Sequence, residues 1–233
     1  PIVVMSHGWA SGRYGLLIKA PVLAPFASRL VVYDLRGHGD ASAPVTHMGP
    51  REVDDLLAIV DQARPTGAPD RPVVLFGSSM GGVISIAAAA RAPDRVAGVI
   101  AEAPYRTLAH PLAGQLRRRH PPAWPFVPLT VAHLRFWVRG FGPFNLDDHA
   151  SRLRCPLLIL HGDADTISPY AHGREIATSA VDAELVTFAG AGHSRLHEHD
   201  DVTYRDALRR FFDRVVRSRA APPPTTSTDG AGA

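Results

Sequence analysis

Cysteine is nearly missing from these 233 residues, and so is lysine: Cys155 and Lys19 are the sole examples of each. One thiol excludes an internal disulfide framework. It directly precedes an apolar run, where a small buried side chain is the expected role. The positive charge is therefore almost all arginine, and the net charge is only +3. The basic residues are scattered, apart from Arg117-Arg118-Arg119-His120, which a solvated helix face explains about as well as an anion site does; nucleic acid is not an expected partner. No run approaches the roughly 20 apolar residues that span a bilayer. Nor does a basic segment followed by an apolar one open the chain, as in a secretory signal. These absences lead to the expectation of a cytoplasmic protein with no membrane span.

What is present is enough for one globular domain: 45% of the residues are hydrophobic and 20% charged. Short continuous apolar runs at Ile2–Met5, Leu30–Tyr33, Val73–Phe76, Val96–Ile100, Leu157–Leu160 and Glu184–Phe188 read as strands. Their continuity, in place of alternation, means burial on both faces. Helical patterns lie between them: Leu16 to Ser28, broken by Pro21 and Pro25, then Glu52–Ala63, Met80–Ala92, Pro169–Ala180 and Thr203–Arg217. Alternation of this kind predicts an α/β fold with a mostly parallel sheet of about six strands and helices on both faces. Residues 107–153, rich in Pro and Trp, break the alternation and read as a small helical lid inserted over one end of the sheet. The domain is expected to run over residues 1–219, and the Pro/Thr/Gly-rich tail 220–233 to be disordered.

The chemistry is most legible in VVLFGSSMGGV, residues 73–83. Gly77-Ser78-Ser79-Met80-Gly81 is a G-x-S-x-G pattern between a predicted strand and a predicted helix, the nucleophile elbow. A sharp strand-to-helix turn strains its central residue, so the positions two away must be small, and Gly82 lets the helix approach the strand. Ser79 has glycine at both of those positions; Ser78 does not. A serine hydroxyl needs a base, itself oriented by a carboxylate. Both follow in the order expected for this elbow: LLILHGDADTISP at 157–169 ends a strand with two acids, and FAGAGHSRLH at 188–197 carries His193.

Five pieces in series, MSHGWASGR (5–13), YDLRGHGDAS (33–42), GSSMGG (77–82), HGDADTISP (161–169) and GAGHS (190–194), resemble the α/β-hydrolase superfamily. EAPY (102–105) and LRCPLLILHG (153–162) are similar to its serine-hydrolase branch of esterases and serine aminopeptidase-like proteins. The resemblance implies an α/β-hydrolase fold that lacks the first two strands of the superfamily sheet. Leu30–Tyr33 is then an edge strand through which the protein could self-associate.

Carried over residue by residue, Ser79 is the nucleophile, His193 the base and Asp165 the acid, with Asp163 as its rival and Glu102 as an alternative after the preceding strand. The backbone N–H groups of Met80 and Trp9 form the oxyanion hole, with Ala10 as the alternative to Trp9. Trp9, Trp124 and Trp137 are candidate substrate-binding side chains. His7, His38 and His161 are expected to shape turns, as are Asp34 and Arg36. Neither a metal nor another cofactor is called for: His193 and His197 fit no H-E-x-x-H pattern. HGWASGR also lacks the consecutive glycines of lipase-type oxyanion loops. The expected function is cleavage of a carboxylic ester of small to medium acyl length through an acyl-enzyme, on a small-molecule substrate. A peptidase or thioesterase using the same triad is the alternative within the enzymes, and a non-catalytic binding protein the alternative outside them.

Overall fold

A computed structural model describes residues 1–67, 70–107, 111, 113, 114, 121–137 and 146–220. Among these, six strands form one sheet: β1 (Ile2–Ser6), β2 (Arg29–Val32), β3 (Val73–Ser78), β4 (Gly98–Glu102), β5 (Leu157–Gly162) and β6 (Ala183–Phe188). Their order is β2-β1-β3-β4-β5-β6. Every neighbouring pair is parallel, as the continuous apolar runs predict. The order reverses direction between β1 and β3, so the loops leaving those two strands diverge and open a crevice at their carboxyl ends.

Successive side chains on a strand point to opposite faces, and both faces are covered. Ile2, Val4, Val73 and Leu75 pack with α3 (Pro50–Ala63), α4 (Met80–Arg91), α6 (Leu146–Ala150) and α7 (Tyr170–Ser179). Val3, Met5, Val74 and Phe76 pack with α1 (Arg13–Leu16), α2 (Ala20–Leu23), α8 (Leu196–His199) and α9 (Asp201–Ala220). The helix α5 (Val127–Trp137) follows a 3-10 stretch at Pro121–Phe126, within the segment read as a lid. The far end of that segment belongs to the body instead, since Leu146 and Ala150 of α6 are fully buried in the core. Among the described residues no helix is long and apolar enough to cross a membrane.

Most elements differ from their expected bounds by one to three residues, and three of them show the physics that sets the ends. The helix predicted over Leu16–Ser28 is a series of short pieces from Arg13 to Phe26. Pro21 and Pro25 stand second in α2 and in the 3-10 turn Ala24–Phe26, within the first turn, where the missing N–H has no helical partner to lose and a proline does not break the helix. Helix α3 begins at Pro50, two residues early, because the Glu52 carboxylate accepts the Gly49 N–H at 2.8 Å and caps it. Strand β4 begins at Gly98 and not Val96; there a Cβ would lie 2.7 Å from the Phe211 ring, so α9 crosses the sheet closely at that point. Strand β2 is at the sheet edge, as expected, and its Leu30, Val31 and Val32 are partly exposed.

Phe76 is fully buried in the middle of the sheet, on the face covered by α9. Replacing it, Phe76→Ala, is expected to cost about 3–5 kcal/mol, read as a lower urea midpoint with an unchanged slope.

Candidate active site

Strand β3 ends at Ser78 and α4 begins at Met80, so Ser79 alone makes the turn between them. It does so at φ 53° and ψ −114°, a conformation that costs a side-chain-bearing residue about 1–3 kcal/mol. The surroundings enforce it. A Cβ on Gly77 would lie 2.1 Å from the Gly81 carbonyl oxygen, and one on Gly81 would lie 2.1 Å from the Ser6 carbonyl oxygen. Neither position can carry a side chain. The Ser79 N–H donates to the Glu102 carbonyl at 2.7 Å, and its carbonyl accepts the Val83 N–H at 3.1 Å, which fastens the turn to β4 and to the first turn of α4.

Loops after β5 and β6 bring Asp165 and His193 to this turn. Asp165 Oδ1 accepts the N–H groups of Ile167 and Ser168 at 2.8 and 2.9 Å, which fixes the carboxylate plane. Its Oδ2 lies 2.7 Å from His193 Nδ1, and His193 Nε2 lies 3.0 Å from Ser79 Oγ. With Nδ1–H donated to the carboxylate, Nε2 is the ring's acceptor and faces the hydroxyl. The Asp165 side chain is fully buried and His193 is 18% exposed, so one end of the chain of contacts is dry and the other meets solvent.

Burial alone would raise the Asp165 carboxyl. Hydrogen bonds from His161 and His193, the His193 charge and the Ser168 N–H together outweigh it, and the carboxyl sits well below the usual range. The His161 contact was not legible in the sequence: its Nε2 lies 2.9 Å from the Ser168 carbonyl oxygen and 3.4 Å from Asp165 Oδ2. Asp163 is turned elsewhere, with Oδ1 accepting the Gly190 N–H at 2.6 Å, and it clips the two loops together. Glu102 is bound to Lys19 and Tyr204.

On the opposite flank, the turn after β1 is held by histidines and an aspartate. His7 donates from Nδ1 to the Gly8 carbonyl at 2.8 Å and accepts the Leu35 N–H at Nε2 at 3.0 Å. Burial lowers its pKa, which suits a neutral ring with one donor and one acceptor. His38 accepts the Ala10 N–H at 3.2 Å, so that donor is engaged and Trp9 is left as the candidate of the pair. Asp34 accepts the N–H groups of Arg13 and Asp40, and Arg36 pairs with Asp55 at 2.6 Å; both shape loops. Trp9 is 45% exposed. The side chains of Trp124 and Trp137 lie outside the described residues. Cys155 is buried, its thiol pushed up to about 12 by burial. Among the described residues no cluster of three or more His, Cys, Asp or Glu side chains could hold a metal ion.

Residues 1–136 match the family model described as serine aminopeptidase, S33, and residues 142–217 match that of a TAP-like protein. The chain belongs to the serine aminopeptidase S33 family of the α/β-hydrolase superfamily. It is a hydrolytic enzyme. The chain is 23% identical to the uncharacterized protein YqkD of Bacillus subtilis, over 91% of this chain and 71% of that one. It is 26% identical to the lysophosphatidylserine lipase ABHD12 of Rattus norvegicus, over 88% of this chain and 51% of the lipase, and so spans about half of that relative's length. Esterase Pf2001 of Pyrococcus furiosus superposes with a TM-score of 0.73 at 20% identity, covering 91% of this chain and 81% of that one, a likeness of fold.

The lowered Asp165 carboxyl sets a sign for acid stability. A group whose folded pKa lies below its unfolded value contributes stability above the unfolded value and loses it as the pH falls. Between about pH 5 and 2, Asp165→Asn is therefore expected to lose less stability than the wild type, measured as the urea midpoint at each pH.

Proposed function

We propose that this chain is a serine esterase that cleaves carboxylic esters of small to medium acyl length. The observation that carries this reading is the unbroken series Asp165–His193–Ser79, at 2.7 and 3.0 Å, on a strained turn at the head of a helix. Ser79 Oγ attacks the carbonyl carbon while its proton passes to His193 Nε2. Asp165 keeps the ring in the tautomer that can accept and stabilises the imidazolium. The tetrahedral oxyanion is held by the N–H groups of Met80, at the free end of α4, and of Trp9. Each such donor is worth about 10²–10³-fold in rate. His193 then returns the proton to the leaving alkoxide, which departs and leaves an acyl-Ser79. Water adds to that acyl group as His193 takes its proton, and collapse releases the carboxylic acid and restores Ser79.

The ester reading draws support from relatives named as esterase and lipase. The restriction to small and medium acyl groups rests on the absence of consecutive glycines after His7. Trp9, half-exposed beside the elbow, offers one wall for the acyl or alcohol group. Residues 121–137, with Phe126 and Phe136 exposed, are the part of the proposed lid that offers apolar surface. The family name favours amide cleavage as a second reading. Parallel assays on a p-nitrophenyl ester, an aminoacyl anilide and an acyl-CoA separate the three chemistries, and the ester is expected to be turned over fastest.

A fluorophosphonate is expected to label the wild type and not Ser79→Ala. Asp165→Asn is expected to lower kcat about 10³–10⁴-fold, and Asp163→Asn, which keeps an oxygen for the Gly190 N–H, to stay near wild type. A folded wild type that neither labels nor hydrolyses any of the three substrates overturns the reading.

A further inference from the structure

The chain uses arginine at nearly every basic position, yet its one lysine is buried, with Lys19 only 4% exposed. It ends the 3-10 turn Leu17–Lys19. Its ammonium has three hydrogens and meets three acceptors: Glu102 Oε1 at 2.8 Å, Glu102 Oε2 at 2.9 Å and His197 Nδ1 at 2.8 Å. Tyr204, fully buried on α9, donates its hydroxyl to Glu102 Oε2 at 2.9 Å. Lys19 also lies 5.3 Å from the centre of the Tyr204 ring. A compact ammonium with three divergent donors satisfies this arrangement, whereas a planar guanidinium points its donors in one plane.

The four residues come from elements that carry different parts of the site. Lys19 closes the segment that begins with the oxyanion-side turn His7-Gly8-Trp9. Glu102 is the residue whose carbonyl holds the Ser79 N–H. His197 lies four positions beyond His193, at the start of α8. The flanks are not packed face to face at this level. A cavity of about 170 Å³ lies between them, lined by Gly8 on one side, Ser194 on the other, and by Ser78, Lys19 and Glu102. A polar link across that space sets the distance that close packing does not.

We propose that Lys19, with Glu102 and His197, is a positioning clamp that holds the oxyanion-side turn and the His193 loop at a fixed spacing about Ser79. This rests on the esterase reading of the site. The clamp touches neither substrate nor reacting atoms; it acts through the Ser79 turn and the His193 loop. Its loss therefore lowers the rate of attack more than it weakens binding, because a shift of about 1 Å in a catalytic group can cost about a hundredfold.

The test compares His197→Leu, His197→Asn and the double variant Lys19→Met/Glu102→Gln with the wild type. Read-outs are the fluorophosphonate labelling rate, kcat and KM on a p-nitrophenyl ester, and thermal unfolding. Asn places an oxygen near the position of Nδ1, so it can still accept from Lys19. The expected result is a fall of about ten- to a hundredfold in kcat and labelling rate for His197→Leu, with KM changed less than about threefold, and recovery in His197→Asn. The double variant leaves no unpaired buried charge, so it is expected to fold and still to show the loss; it decides the matter if His197→Leu does not fold. Wild-type rates in folded His197→Leu or in the double variant overturn the clamp, as does an equal loss in the Leu and Asn variants. A wild type that does not react with the fluorophosphonate overturns the esterase reading, and the clamp with it; a reactive wild type alongside unaltered variants overturns the clamp alone.

Discussion

The close approach of β1, β3 and α4 at Ser79 is the constraint around which the site is arranged. Backbone meets backbone there: the places where Cβ atoms of residues 77 and 81 would sit are filled by carbonyl oxygens of Gly81 and Ser6. That contact forces the chain through a left-handed φ at Ser79 and sets its hydroxyl above the sheet at the head of α4. A strained turn persists only if its neighbours over-determine it. Here the Glu102 carbonyl on β4 and the Val83 N–H on α4 do so from either side.

Parallel strands make this gathering possible. All six strands run the same way, so all their carboxyl ends emerge at one edge of the sheet, and segments far apart in sequence meet there. Ser79 and His193 are 114 positions apart yet lie in hydrogen-bond contact. The loops are held by contacts independent of that one: Asp163 ties the β5 loop to Gly190, the backbone of 167 and 168 fixes Asp165, and His7 and Asp34 shape the turn after β1. Each side chain that meets another at the elbow is thus presented by a loop already set in place, which is the preorganisation that electrostatic catalysis requires.

The parts legible in the sequence are those that depend on local pattern. Strands buried on both faces are continuous apolar runs, and all six are found close to their expected positions. The elbow is legible because its steric demand is met by glycines at fixed spacing. Of the two acids in HGDADTISP the resemblance favours Asp165, with Asp163 as rival, but the residues alone do not show why: only the fold puts the Gly190 N–H on one and the His193 ring on the other. Pro21 and Pro25 read as helix breakers because sequence alone does not give the register that places a proline within a first turn. The burial of Lys19 was beyond reach for a different reason. Its partners lie 83 and 178 positions away, and nothing local marks a lysine as enclosed. Its rarity was the one signal available.

The ionic architecture divides along the same line. Arginine serves the surface and the loop rims, as in the Arg106 pairs with Asp147 and Glu175 or those of Arg210 and Arg214 with Glu184. Exposed pairs of this kind contribute little individually. Among the described residues, Glu52 is buried as the cap of α3, and the other enclosed carboxylates lie where strands end. Glu102 at the end of β4 and Asp165 after β5 are both enclosed carboxylates beside the elbow, and two such groups would compete for one imidazole if both were unpaired. They are kept apart by partner chemistry. Glu102 is paired with an ammonium and accepts a hydrogen bond from a phenol, which commits both of its oxygens. Asp165 is given backbone N–H groups on one oxygen and imidazoles on the other. In the proposed reaction this leaves one carboxylate able to respond to charge on His193, while the other is held as structure. A single lysine in place of a twenty-fifth arginine or an apolar residue has a physical reason at that position: a small three-donor cation closes the carboxylate off and still has one hydrogen left for His197.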